Sequence, residues 1–95
     1  MASASMTKVT ESQLAWELAD RVGARLSHED RTAVFVDLGC GDFLSAIHRI
    51  LHIVVQNQHR LPAMSLERLH IWSRIYGREP EYAPLLARVK KAPPR

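Results

Sequence analysis

His48 and His52 stand four residues apart, the spacing that sets two imidazoles on one face of a helix where they could share a metal ion. His59 falls within about 20° of His48 on the same helical wheel, about three turns further on. A metalloprotease-type helix would place a glutamate directly after the first histidine as general base; here that residue is Arg49. Arg49 and Arg60 share the histidine stripe, and cations there disfavour a metal. The stripe therefore reads as a solvated polar face, with His48, His52 and His59 its weak metal candidates, and no metal or other cofactor is expected. The same histidines, with His70, could instead gain up to four charges as the pH falls. Cys40 is flanked by Gly39 and Gly41. A nucleophilic thiol needs a base within reach and a group to orient that base; neither is visible, so Cys40 reads as a small residue that fits a turn. No Ser-His-Asp spacing, paired-carboxylate pattern or phosphate-cradling glycine loop stands out, so the pattern leans against an enzyme.

A different kind of chemistry is offered by Trp72 and Tyr76, interleaved with Arg68, Arg74 and Arg78. Aromatic rings beside arginines are enriched at interface hot spots and at nucleic-acid sites. These five are the candidate partner-binding residues. Trp72 and Tyr76 also share a helix face with Leu69, which makes the core the competing destination for Trp72, while Arg74 falls on the opposite, solvated side.

The elements that must position these groups read as helices. Residues 1–9 are small and polar, a tail. Thr10, followed three residues later by Gln13, has capping-box spacing. Leu14, Leu18, Val22 and Leu26, with Ala15 and Ala19, then fall in one apolar arc that leaves Trp16 outside. Ser27 is the next N-cap, with Asp30 behind it. His28 to Leu38 then reads as a helix closed by Gly39, although Thr32 to Leu38 is apolar on both faces and also fits a buried strand. The good cap, and the lack of a second strand to pair with, favour the helix. Asp42 caps a long helix running to about Gln58, whose apolar arc, Phe43 to Val55, spans about 200°. So wide an arc makes it the central helix, and in a small protein part of it could be buried by a second copy. Leu61-Pro62 ends that helix. Ser65 caps a shorter one, Leu66 to Tyr76, stopped by Gly77. A last short helix, punctuated by Pro80 and Pro84, turns Leu85, Leu86 and Val89 inward, and residues 90–95 form a basic tail.

Two resemblances fall on the glycine corner. Val34-Phe-Val-Asp-Leu-Gly-Cys-Gly-Asp-Phe43 resembles the first motif of class I S-adenosylmethionine-dependent methyltransferases: two apolar residues, an acid (Asp37), an apolar residue, then Gly39 and Gly41. The resemblance implies a strand running into a cofactor-binding turn. Phe43 stands at the third glycine position, and 52 residues follow it. Further βαβ units take about 30 residues or more each, so the family's sheet does not fit and the match is read as chance. Leu38 to Ile47 resembles the corner between the two helices of a tetratricopeptide repeat, with Gly41 and Asp42 at the turn and Ala46 allowing close helix packing. That resemblance implies a helix–glycine turn–helix hairpin; a single copy implies no repeat array.

Ninety-five residues support one core, and 46% hydrophobic with 24% charged residues excludes a disordered chain. One cysteine excludes an internal disulfide framework or a cysteine-rich zinc module. Met1 to Met6 lacks an apolar signal-peptide core, and no apolar run approaches the ~20 residues of a membrane span. A soluble cytoplasmic protein is the expectation. The net charge of +3 hides an uneven division. Residues 1–48 hold four bases and seven acids, and residues 49–95 hold nine bases and three acids. The expected fold is all-α, a compact bundle of four to five short helices filling residues 10–89 around the helix at about 42–58. The expected function is a non-catalytic protein–protein interaction module that binds an unknown partner or a second copy of itself. The alternative is a helical domain that binds nucleic acid with its basic C-terminal half.

Overall fold

The structure, a computed structural model, describes residues 10–91. The chain folds as a small all-α bundle. The helices are α1 (Glu11–Val22), α2 (His28–Gly39), α3 (Phe43–Gln56), α4 (Ala63–Ile75) and α5 (Glu79–Ala87), with a 3-10 turn at Gly23–Arg25. Three N-caps follow from residue type. Thr10 Oγ1 accepts from the Gln13 amide, Ser27 Oγ from the Asp30 amide, and Asp42 Oδ1 from the Ser45 amide. Each satisfies one of the amides that a first helical turn leaves without an internal partner.

Helix ends are set the same way. α2, α3 and α4 each close on a left-handed residue with paired back-bonds, the Schellman arrangement. Gly41 (φ 77°) and Gly77 (φ 68°) serve α2 and α4, and Gln58 (φ 57°) serves α3. At Gln58 the amides of His59 and Gln58 donate to the carbonyls of Val54 and Val55, at 2.9 and 3.3 Å. An L-residue in that conformation costs about 1–2 kcal/mol, of which glycine's looser unfolded state returns part. Gln58→Gly is therefore expected to stabilise the protein by about 0.5 kcal/mol in a urea titration; a loss of stability would contradict this reading.

The segment Thr32 to Leu38 is helix. Val34 and Leu38, one turn apart, face the core, whereas Phe35 and Val36 are exposed. The strand-like pattern, apolar on both faces, arises because one face is core and the other is uncovered surface. α3 is the central helix: Ala46, Ile47, Ile50, Leu51 and Val54 are fully buried and Ile53 nearly so. Most of its wide arc is covered by its own chain, chiefly α1, α2 and α5, while Phe43, Leu44 and Val55 stay half-buried.

Two boundaries differ from the sequence reading. α4 begins at Ala63, not after a Ser65 cap: Pro62 is preset for a helix entry, and its carbonyl takes the Leu66 amide at 3.1 Å. Ser65 is then buried inside the first turn. Residues 60–61 and 90–91 form a parallel two-residue ladder, β1 (Arg60–Leu61) with β2 (Lys90–Lys91), in the register Arg60 to Lys90 and Leu61 to Lys91. Strands this short carry no periodicity, so sequence gave no sign of them. Lys90 and Lys91, assigned to the tail, thus lie in the sheet, while 1–9 and 92–95 lie outside the described residues. Among the described residues no helix is long and apolar enough to cross a membrane.

Candidate interaction surfaces

Three of the five aromatic and arginine candidates, Arg68, Trp72 and Arg78, are turned toward α1, and Tyr76, 41% exposed, meets that helix at the rim through its hydroxyl. Trp72 is fully buried. Its Nε1 donates to Glu11 Oε2 at 3.0 Å. The Glu11 amide, one of the unpaired donors of the first turn of α1, donates to the Tyr76 hydroxyl at 3.1 Å. Arg78 Nε lies 3.9 Å from the same Glu11 oxygen, and Arg68 Nε lies 2.9 Å from Glu17 Oε1. The pattern that resembled a hot spot is thus a docking seam within the chain. The signal that could have revealed it is the pair of acids on α1, Glu11 and Glu17, whose partners are the arginines of Arg68 and Arg78. Arg74 is exposed on the far side of α4, as the wheel placed it.

The histidines divide. His48 and His52 lie side by side with ring centroids 4.3 Å apart. His59 does not join them by continuing the helix, because α3 ends at Gln56 and the left-handed Gln58 destroys the helical phase. Its Nε2 is buried without a hydrogen-bond partner. Among the described residues no group of three or more His, Cys, Asp or Glu side chains is placed to hold a metal ion.

His48 and His52 line a cleft of about 470 Å³ between α3 and α5, with Asp30, Arg49, Glu81 and Tyr82 in its walls. Arg49 Nε is committed to Asp37 at 3.1 Å. Tyr82, 2% exposed, packs edge-on against Trp72 with centroids 5.1 Å apart, and its hydroxyl lies 2.8 Å from His48 Nδ1. With the phenol as donor, Nδ1 accepts and the imidazole proton sits on Nε2. Burial pushes the Tyr82 phenol above its ordinary value of 10.0; Glu81 and Glu11 add to the rise and Arg78 opposes it. The phenol is therefore neutral at physiological pH and holds the ring of His48 in place.

The sign of the pH dependence follows. A raised phenol pKa in the fold contributes stability that is complete below the ordinary value of 10.0 and is lost as pH rises through the raised value. Tyr82→Phe is expected to cost about 1 kcal/mol at neutral pH, from the lost hydrogen bond. It should also lose stability less steeply than the parent above pH 10. Parallel curves in alkaline urea titrations would contradict this assignment.

Cys40 is exposed in the corner between α2 and α3, and no base hydrogen-bonds to its thiol among the described residues. The methyltransferase-like stretch is helix and turn here, with Asp37 in an ion pair and Gly41 in a helix cap. The corner has the helix–turn–helix form of the second resemblance.

One aromatic cluster remains on the outside. Trp16 is 49% and Phe35 39% exposed, with ring centroids 6.2 Å apart. The Arg31 guanidinium sits over the Phe35 ring, 6.0 Å from its centroid. Trp16 also edges a shallow groove of about 760 Å³ lined by Ser12, Gln13, Glu17, Asp20 and Phe43. The cause is local: Trp16 lies off the buried arc of α1, and Phe35 lies off the buried line of α2. No family model matches the chain, and no known protein or solved structure is similar enough to serve as a relative.

Proposed function

We propose that the protein is a non-catalytic interaction module whose partner surface is the Trp16–Phe35 patch and the groove beside it. The observation that carries this reading is the exposed aromatic pair itself. A half-exposed tryptophan set at a tilt against a half-exposed phenylalanine is the composition enriched at interface centres, and clustered exposed rings are uncommon where nothing covers them. The charged residues lining the groove are acidic: Glu17, already paired with Arg68, and Asp20, which forms no ion pair among the described residues. The partner that fits is a protein segment with an apolar anchor for the groove and flanking lysine or arginine. The patch is small, which suits a transient, micromolar contact.

A peptide-display selection on the intact protein tests this. Enriched sequences should pair an aromatic or aliphatic anchor with basic residues, and should bind with a blue shift of tryptophan emission. Binders that ignore Trp16, or an acidic consensus, would overturn the reading. Sedimentation at tens of micromolar is expected to show a monomer; a dimer abolished by Trp16→Ala would put a second copy on the patch instead.

A further inference from the structure

Three segments distant in sequence meet at one corner of the bundle, and each brings cations. Arg25 lies in the 3-10 turn, and its Nη1 donates to the Arg60 carbonyl at 3.3 Å. Arg60 is paired in register with Lys90, and Lys91 follows it. Neighbouring strands lie about 4.8 Å apart, so these cations are crowded. All four residues are exposed, and none forms an ion pair among the described residues. Lys90 Nζ reaches Gln58 Oε1 at 3.5 Å, so this contact, like that of Arg25, ends on a neutral oxygen.

The arrangement costs the fold something. Like charges directly opposite on paired strands are destabilising, and Arg60 faces Lys90 across a ladder two residues long. The strands are anchored from the other side, by Leu61 and Val89 in the core. Core packing therefore explains why the segments meet but not why their outward positions are basic. An anion bound at the corner would offset the repulsion.

We infer that the corner formed by Arg25, Arg60, Lys90 and Lys91 is a phosphate-contacting surface for double-stranded nucleic acid, bound through its backbone without sequence readout. Three features favour that occupant. Arg60 and Lys90 lie at strand spacing on one face of the ladder, with Arg25 and Lys91 beside them, and such a cluster matches a densely charged polyanion better than a single carboxylate. The corner's own elements carry no aromatic ring on which unpaired bases could stack, as single-strand binding uses. Their apolar side chains, Leu61 and the adjoining Val89, are turned into the core, leaving no anchor there for a bilayer. The inference is independent of the Trp16 patch, which belongs to other elements.

Anisotropy titration of a labelled 20-base-pair DNA duplex with the full chain, from 20 to 200 mM salt, is the test. Binding of about 1–100 μM at low salt is expected, with log K falling against log salt at a slope of about −3.6, the value for four phosphate contacts. Arg60→Gln with Lys90→Gln should bring the slope to about −1.8 without lowering the melting temperature, since a repulsive pair has been removed. Arg74→Gln, exposed on α4, should leave the slope unchanged. Binding weaker than about 100 μM at the lowest salt, or a slope indifferent to the double substitution, would overturn the inference. So would equal affinity for polyglutamate or for vesicles rich in anionic lipid.

Discussion

Trp72→Ala is expected to remove about 3–5 kcal/mol of stability, among the largest effects of any single truncation in the molecule. The indole is fully buried and touches elements from both ends of the chain. Its ring abuts Tyr82 of α5, and its N–H closes on Glu11 of α1. Truncation opens a cavity, leaves the Glu11 carboxylate without its inward partner, and frees Tyr82, whose hydroxyl holds His48 of α3. For a domain this small, each kcal/mol shifts the melting temperature by about 4–8 °C. The variant should therefore melt roughly 12–40 °C lower, or fail to fold where total stability lies at the low end of the usual range of about 5–15 kcal/mol. Trp72→Phe separates the two contributions. It keeps most of the packing and loses the indole hydrogen bond, for about 1–2 kcal/mol. A Trp72→Ala cost below about 1 kcal/mol in denaturant titration would mean the ring is not in the core.

Trp16→Ala should do the opposite: leave the protein folded and remove binding. The ring is half-exposed, so its loss should cost about 1 kcal/mol, well below the cost at Trp72. At an interface, a central tryptophan is worth about 2 kcal/mol or more, roughly a 30-fold loss of affinity for a selected peptide. Phe35→Ala should follow at a smaller loss, because Phe35 supports the indole edge. The two tryptophans thus have divided roles, one in the fold and one on its surface. Calorimetric titration of the selected peptide reads the second; unchanged affinity in Trp16→Ala would move the partner surface elsewhere.

Much of the helical framework was legible because it rests on local rules. Thr10, Ser27 and Asp42 cap where their side chains and the following apolar periodicity say they should. The Gly77 end follows from the conformation only glycine adopts freely, whereas α2 runs through Gly39, its expected end, and closes on Gly41. What sequence did not reveal was tertiary in origin. The wheel could not say whether the Trp72 face met solvent or α1, because the deciding residue, Glu11, lies 61 positions away. Nor could it say that α3 would be wrapped by its own chain. The β1–β2 ladder, joining residues 60 and 90, had no local signature. His59 was misplaced for a simpler reason: a wheel assumes an unbroken helix, and Gln58 breaks it. The patch, by contrast, was written in the sequence as an anomaly, since Trp16 lay outside its arc and residues 32–38 were apolar on two faces.

The division of roles between Trp16 and Trp72 can be read in one experiment: fluorine NMR of the protein labelled with 5-fluorotryptophan, assigned with Trp16→Phe. The resonance of Trp16 should show a solvent isotope shift between H₂O and D₂O and should move on addition of a selected peptide, while that of Trp72 shows neither. A peptide that moves Trp72 and leaves Trp16 in place, or a solvent-exposed Trp72, would contradict the account.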